Sequence, residues 1–354
     1  MKKTILSALF LLLLVGLLPL VCLIPSKSAV SAGLEQAVSA AFEESGEEDS
    51  ESAGSESQPA SEAQSESEGQ SEPGTPSEGQ ILLEDADTGT LLTLAPAEYL
   101  VGAAASEMPA TWPDQALMAQ MIASHSFVLY QKEHCADPNA GWVSVAPARM
   151  EGYLTPEVRT ARWGGSAAEW EQKLQALATE VESVLLTYDG SPAAACYHAI
   201  SQGHTEASQN VWNEALPYLQ GVDSPLDKTA DGYAQSVEYT KEQMADALAA
   251  NLGLAPEGDP VGWFGATEWY DTGYVRSIEI CGQRIAGVKL RKALGLRSNC
   301  FSVSYSDGRF FISTHGYGHG VGLSQWGARL MAEQGADWRE ILAHYFPGTE
   351  ITGG

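Results

Sequence analysis

The chain is long and strongly acidic. It has 354 residues, with 46 Asp and Glu against 19 Lys and Arg, and its formal net charge is −27. Proteins that bind nucleic acid need clustered cations to contact phosphates, so this balance argues against nucleic acid as the main partner. Residues 81–354 alone carry a net charge of −17 and are numerous enough to bury a sizeable core, as one large domain or as two lobes.

The first 25 residues form an apolar segment behind a short basic start. A helix rises about 1.5 Å per residue, so a run of this length spans the hydrocarbon core of a bilayer. A cleaved secretory signal is the alternative, because Val30-Ser31-Ala32 could be a cleavage site, but signal cores are usually shorter. Lys2 and Lys3 favour a cytoplasmic N-terminus. We therefore expect a single-pass protein of the cell membrane with its C-terminal part outside the cytoplasm.

Residues 26–80 have the composition of a tether. From Ser28 to Gln80 there are 13 acidic residues and no basic ones, mixed with Ser, Gln, Gly, Pro and Ala. Such a segment cannot bury enough apolar surface to offset the entropy of ordering, so we predict a disordered linker. The chain then divides into an anchor (1–25), a linker (26–80) and a folded domain (81–354). A tether suggests a target some distance from the bilayer, and outside a bacterial membrane that is typically the cell wall.

The folded part mixes helical and strand periodicities without regular βαβ alternation, which indicates an α+β fold. The turn between two apolar runs predicts a hairpin in residues 81–94. The predicted helices are 96–105, 114–132, 165–180 and one or two in 328–345. The predicted strands are 183–188, 194–199, 274–280, 287–290, 301–305 and 310–313.

Glu107 is the first candidate for chemistry. It lies near the predicted end of a helix, among small and apolar neighbours and just before a loop bracketed by Pro109 and Pro113. Surroundings of this kind disfavour the charged form of a carboxyl, and a protonated carboxyl can act as a general acid. A glutamate that caps the helix or faces solvent is the alternative.

The second candidate is the glycine-rich segment 314–327. Its five glycines, at positions 316, 318, 320, 322 and 327, would let the backbone approach a ligand closely. A phosphate-binding loop is disfavoured by the acidic charge, and zinc binding by His315 and His319 would need a helix that the glycines oppose. Aromatic and polar side chains suited to a sugar also lie here: His315, Tyr317, His319, Gln325 and Trp326.

The third cluster runs from Cys196 to Glu206. Cys196 and His198 could suggest a thiol nucleophile with its base, but a buried thiol is the favoured interpretation. The pair His134-Cys135 is an incomplete zinc site, and we predict neither a metal nor another cofactor. The five cysteines are too scattered for a disulfide scaffold, although Cys281 and Cys300 could pair outside the cell.

Together these segments resemble the stage II sporulation protein D family, also called the SpoIID/LytB domain. The stretch Ala-Ala-Ser-Glu-Met-Pro-Ala-Thr-Trp-Pro (104–113) is similar to that around the family's catalytic glutamate. The central family motif is matched by Tyr197-His, Thr205-Glu, Val211-Trp212 and Pro217-Tyr-Leu. The C-terminal signature is matched by residues 319–328 and 344–349, so the likeness covers about residues 85–351 in order.

The resemblance implies a lytic transglycosylase that cleaves peptidoglycan between N-acetylmuramic acid and N-acetylglucosamine, preferably in strands stripped of stem peptides. Glu107 would act as acid and then as base, giving a 1,6-anhydromuramoyl end. The family role is forespore engulfment during sporulation with an amidase partner, and the alternative is a non-catalytic glycan-binding module that recruits or enhances an amidase. The implied substrate-binding residues are His125, Tyr197, Ser201, His204, Thr205, His319, Ser324, Gln325 and Trp326.

The sequence departs from the family pattern at three places. Where the family has Ala-Arg-Thr-Tyr, this chain has Ser124-His125-Ser126-Phe127, so a permanent cation is replaced by a titratable group. Gln202 replaces a glycine of the central motif. Zinc-binding members of the family use paired Cys and His in the region after the helix that follows the catalytic glutamate. Here only His134-Cys135 remains of these ligands, so we predict no zinc site. A second catalytic carboxylate cannot be placed from the sequence. Asp114 and Glu206 are candidates only because they share motifs with Glu107 or with the loop of the third cluster.

Overall fold

The structure is a computed structural model that describes residues 79–137, 140–212 and 214–353. The predicted anchor and nearly all of the predicted linker lie outside these residues. Within them, no helix is both long enough and apolar enough to cross a membrane.

The described chain folds into helices and several small sheets, in agreement with the predicted mixture. The helices are α1 (Pro96–Glu107), α2 (Asp114–His134), α3 (Pro156–Trp163), α4 (Ala167–Val181), α5 (Ser208–Trp212), α6 (Lys241–Leu252), α7 (Gly287–Leu294), α8 (Gln325–Glu333) and α9 (Trp338–Tyr345). The strands are β1 (Ile81–Asp85), β2 (Leu91–Leu94), β3 (Val143–Val145), β4 (Leu185–Tyr188), β5 (Ser191–Pro192), β6 (Tyr197–His198), β7 (Ala234–Thr240), β8 (Phe264–Trp269), β9 (Val275–Ile280), β10 (Gln283–Ala286), β11 (Phe301–Ser306), β12 (Arg309–His315), β13 (Leu323–Ser324) and β14 (Glu350–Thr352).

Most predicted elements are confirmed, including the β1–β2 hairpin and the helices α1, α2 and α4. Two strand predictions are wrong. The expected strand 194–199 is reduced to β6, because the backbone turns tightly before it and the Cys196 amide donates to the Ala194 carbonyl at 2.7 Å. The expected strand 287–290 is helix α7, whose buried residues Gly287, Leu290 and Leu294 follow helical spacing.

Buried apolar residues form two large clusters. The first surrounds α1, α2 and α4 and also includes the C-terminal helix α9. The second consists of residues from the segment 234–315, where β7 pairs with β12 and β9 lies between β8 and β10. The segment 234–315 is called the second lobe below, and the remainder the first lobe.

A short parallel strand pair brings the central and C-terminal motifs together. In β6 and β13, Tyr197 is opposite Leu323 and His198 is opposite Ser324. Parallel strands need a long crossover between them, and here the crossover contains the whole second lobe. The residues on both sides of this insertion therefore meet in the first lobe.

The glycine-rich segment packs on protein backbone. A Cβ atom on Gly322 would lie 2.1 Å from the carbonyl oxygen of Cys196, and one on Gly318 would lie 2.7 Å from the Cβ of His198. Both glycines also have positive φ, at 71° and 114°. At these two positions glycine is required by close packing against the β6 segment, a role that the sequence did not predict.

Candidate functional site

Glu107 is the last residue of α1. The helix begins with Pro96 in its first turn, and its residues from Tyr99 to Ser106 are buried. Met108 then adopts an extended conformation, as expected for a residue that precedes a proline. Glu107 itself is partly exposed, so its side chain lies where the buried helix reaches the surface.

A chain of side-chain hydrogen bonds ends at the Glu107 carboxylate. The side-chain amide of Gln325 donates to Glu107 Oε2 and to Gln120 Oε1, each at 3.3 Å. The amide of Gln120 donates in turn to the Ser124 hydroxyl at 3.0 Å. Gln120, Ser124 and Gln325 are all buried, so the carboxylate is held by groups with little freedom to move.

Two tyrosines adjoin this network. Burial and, after it, the charge of Glu107 raise the pKa of Tyr99 and of Tyr197. Tyr99 donates from its hydroxyl to the Ser124 carbonyl, and Tyr197 is hydrogen-bonded to the Ser124 side chain. Both phenols are therefore neutral hydrogen-bonding groups next to the carboxylate at neutral pH. The structure thus brings the predicted residues Tyr197 and Gln325 to Glu107.

The loop after Glu107 is fixed from α4. Lys173 Nζ donates to the carbonyls of Ala110 and Trp112, each at 2.9 Å, and lies 3.0 Å from Asp114 Oδ1. A second cation, Arg162, donates to the carbonyl of Ala105 in the last turn of α1. Asp114, one of the two carboxylates named above, is therefore engaged in an ion pair with Lys173.

A group of aromatic and cationic side chains lies beside Gln325. The rings of Trp112 and Trp326 meet edge to face with centroids 5.8 Å apart. The guanidinium of Arg329 lies 4.7 Å from the Trp326 ring centroid and 5.4 Å from that of Trp112. We call these three residues the Trp-Arg patch. The predicted residue Trp326 thus belongs to a larger group that includes the loop after Glu107.

Ser201 and Ser324 are buried and bind the same carboxylate. The amide of Ser201 and the hydroxyl of Ser324 both donate to Asp227 Oδ2 at 2.7 Å. All three residues are buried, and burial raises the pKa of Asp227. Ser324 also caps α8 by accepting from the Gly327 amide. The two serines, predicted to bind substrate, therefore contact the Asp227 carboxylate.

His204, Thr205 and Glu206 contact neighbouring loops. His204 Nε2 lies 3.8 Å from Asp223 Oδ1, and the buried Thr205 hydroxyl accepts from the Val222 amide. Glu206 is buried and accepts from the Thr272 hydroxyl in the second lobe and from its own neighbour's amide. Within the described part of the chain, these three residues contact protein loops rather than Glu107.

His125 lies in the core on another side of α2. It is only 6 % exposed, and its recorded hydrogen bond is with the backbone of Val184, just before β4. Burial lowers the pKa of His125 to about 4, so the ring is neutral at neutral pH. A neutral buried histidine does not supply the cation that the family arginine would bring to this position.

His319 forms a histidine and tryptophan cluster. Its ring centroid lies 5.0 Å from Trp212 and 5.7 Å from His198, and its ring is hydrogen-bonded to the backbone of Tyr197. Burial lowers the pKa of His319 and lowers that of His198 to about 4. Through Tyr197, this cluster is connected to the network around Glu107.

The cysteine and metal candidates have local contacts. His134 stacks on Tyr130, and the thiol of Cys135 donates to the Asp137 carbonyl. Among the residues that the structure describes, no group of three or more His, Cys, Asp and Glu side chains could hold a metal ion. Cys281 and Cys300 are both free thiols, which is contrary to the pairing considered from the sequence.

Several residues of the site were missed by sequence reasoning. Gln120 and Ser124 lie four positions apart in an otherwise apolar stretch of α2, and that spacing was a usable signal for one polar helix face. Asp227 and Lys173 had no such signal, because each contacts segments far away in the sequence.

Comparison with known proteins shows similarity to stage II sporulation proteins. A family described as "Stage II sporulation protein" matches residues 85–188. Stage II sporulation protein D of Bacillus amyloliquefaciens is 32% identical over 258 residues, covering 72% of this chain and 73% of the relative. The protein of the same name from Bacillus subtilis is 32% identical over 261 residues, covering 72% and 74%. The Bacillus subtilis protein named amidase enhancer is 26% identical over 303 residues, covering 72% of this chain and 40% of that protein.

Proposed function

Because this chain belongs to the stage II sporulation protein D family, we propose that it is a lytic transglycosylase of peptidoglycan, anchored in the cell membrane and acting in sporulation. Its substrate is the glycan strand, preferably free of stem peptides. The observation that carries the proposal is the position of Glu107, at the surface end of a buried helix with its carboxylate held by Gln325.

In this reaction Glu107 first donates its proton to the glycosidic oxygen between N-acetylmuramic acid and N-acetylglucosamine. The bond from C1 breaks, and the N-acetylglucosamine leaves with a 4-hydroxyl. The Glu107 carboxylate then takes the proton from the muramoyl 6-hydroxyl as its oxygen bonds to C1, which closes the 1,6-anhydro ring. Gln325 donates from its amide nitrogen, which does not titrate, so it orients the carboxylate without competing for the transferred proton.

A single carboxyl suits this site better than the pair a hydrolase uses. Hydrolysis requires a second carboxylate, either to activate water or to attack the sugar. The carboxylates considered from the sequence are engaged elsewhere: Asp114 with Lys173, and Glu206 with Thr272 and its own loop. The intramolecular 6-hydroxyl replaces the attacking water, and one group acting twice is then sufficient.

The amidase enhancer relative favours a second candidate function. Its name and its 26% identity support a non-catalytic module that binds glycan and recruits or stimulates a cell-wall amidase. In that case Trp326 and the neighbouring polar groups would hold the sugar, and Glu107 would carry no proton. An amidase is also the expected partner of the transglycosylase, since it prepares peptide-free strands.

The decisive experiment is mass spectrometry of peptide-free glycan strands incubated with the full chain and with its Glu107→Gln variant. We expect 1,6-anhydromuramoyl ends with the parent protein, and loss of at least about a hundredfold in rate with Glu107→Gln, because the transferable proton is gone. Glu98→Gln is the matched control, since Glu98 is an exposed carboxylate in the first turn of the same helix.

Other products would reject the proposal. Reducing muramoyl ends would mean hydrolysis and a second carboxylate. Intact strands that bind to the parent and to Glu107→Gln equally well would leave the glycan-binding module as the function.

A further inference from the structure

The Trp-Arg patch joins the two chain segments that flank Glu107. Trp112 comes from the loop directly after Glu107, while Trp326 and Arg329 come from α8, one and four positions after the residue that holds the carboxylate. All three side chains are partly exposed, so the patch lies at the surface beside the site.

The patch is held in place by contacts on both sides. Lys173 binds the carbonyl of Trp112, and the amide of Trp112 donates to the carbonyl of Pro109. The amide of Trp326 donates to the carbonyl of Ala199, and Ser324 caps the helix that begins next to it. Two rings fixed in this way offer apolar surface to the CH faces of a sugar at low entropic cost.

Arg329 differs from the other cations near Glu107. Lys173 binds two backbone carbonyls and a carboxylate, and Arg162 donates to the carbonyl of Ala105. Among the described residues, the one carboxylate within ion-pair distance of Arg329 is Glu333, which binds its Nε at 2.7 Å. That pair is exposed and lies along one helix, and such pairs are weak and easily replaced by another carboxylate.

A cation here has a specific use if the substrate is a peptide-free glycan. Hydrolysis of the amide between the stem peptide and muramic acid leaves a free lactyl carboxylate, so such a strand carries one negative charge on every second sugar. The domain that must bind it is itself acidic, and long-range repulsion opposes the encounter. A planar guanidinium positioned over two rings can bind a carboxylate through paired hydrogen bonds while the rings contact the sugar.

We propose that Arg329 of the Trp-Arg patch binds the free lactyl carboxylate of a muramoyl residue next to the bond that is cleaved, and so selects strands without stem peptides. This inference rests on the proposed function, since it assumes that the ligand is a peptidoglycan strand. It makes Arg329 a specificity-determining residue and gives Trp112 a role in holding the sugar.

The test compares binding of two probes to the full chain carrying Glu107→Gln, so that cleavage does not interfere. One probe is a peptide-free muramoyl tetrasaccharide with free lactyl carboxylates, and the other is the same sugar with those carboxylates converted to methylamides. By isothermal titration calorimetry we expect the free-carboxylate probe to bind about tenfold tighter or more, as for other charge-assisted hydrogen bonds. Arg329→Gln should remove this preference and leave the affinity for the methylamide unchanged.

Two further variants sharpen the result. Glu333→Gln removes the competing carboxylate and should increase the preference. Arg339→Gln is the matched control, because Arg339 also lies over a tryptophan ring, that of Trp338, at 3.9 Å. The inference is overturned if Arg329→Gln keeps the preference or weakens both probes equally. A different result would separate the inference from the proposed activity. If the parent chain makes no anhydro ends, but the Glu107→Gln protein prefers the free-carboxylate probe and loses that preference with Arg329→Gln, the activity is rejected and the inference is retained.

Discussion

Two carboxylates of the first lobe, Asp227 and Glu107, differ in burial and in their contacts. Asp227 is fully buried, and its Oδ2 accepts short bonds from Ser201 and Ser324, which belong to different motifs. Glu107 is partly exposed, and its Oε2 accepts a 3.3 Å bond from the side-chain amide of Gln325. A buried carboxylate that accepts bonds from two separate motifs stabilises a fold, whereas a carboxyl that must exchange a proton needs access to its substrate. The motif serines thus serve the architecture around the site rather than the reacting group.

The largest effect is expected for Asp227→Ala. It leaves a buried amide and a buried hydroxyl without their acceptor, so we expect the free energy of unfolding to fall by about 3–5 kcal/mol. Urea denaturation followed by circular dichroism measures this loss. Asp227→Asn is the control, since it keeps an acceptor of the same size and should cost much less. A small loss in the alanine variant would mean that Asp227 is not a structural anchor.

Two buried histidines, His125 and His198, should make the stability of the fold depend on pH. His125 and His198 have pKa values lowered by burial to about 4, against 6.5 for the exposed ring. Between about pH 6.5 and pH 4 the unfolded chain therefore binds more protons than the folded one, and stability falls as the pH is lowered. Each group contributes a slope of about 1.4 kcal/mol per pH unit across that window, and none above it.

Denaturation at several pH values, with the parent and His125→Gln, checks this expectation. Glutamine can still donate to the Val184 backbone but does not titrate, so part of the slope should disappear. An unchanged slope would show that His125 is as accessible to protons in the folded state as in the unfolded one.

The third prediction is smaller in energy but specific to the reacting carboxyl. Gln325→Leu removes the donor to Glu107 and to Gln120 while keeping a buried side chain of similar size. We expect the rate of anhydro-end formation to fall by about tenfold to a hundredfold, with stability changed by about 1 kcal/mol. If the free energy of unfolding falls by as much as the activation free energy rises, Gln325 is a structural residue like Asp227.

The sequence predicted the helices and strands much better than the long-range contacts between them. Local signals were enough for α1, α2 and the β1–β2 hairpin, because turn residues and apolar periodicity act within a few positions. The strand predicted at residues 287–290 failed, since a short apolar run there has the same local pattern as the start of an amphipathic helix. Propensity alone does not separate the two.

The candidate site was predicted in part for the same reason. Motif residues were identified from their neighbours; Gln325 contacts Glu107, and Tyr197 is near enough for the Glu107 charge to raise its pKa. Their division into groups around Glu107 and around Asp227 depends on a parallel pairing of β6 and β13 across more than a hundred residues. No local pattern carries that information, so the sequence did not show that Ser201 and Ser324 contact Asp227 or that His125 is buried.

The second lobe enters and leaves the first lobe at one place. Ala234 at the start of β7 and His315 at the end of β12 are paired side by side in the same sheet. An inserted module whose two junctions are adjacent can be exchanged, lengthened or trimmed during evolution without separating the strands on either side. Glu107 and its donor Gln325 both lie outside this module, so the fold provides a position where a recognition surface can change while this pair stays in place.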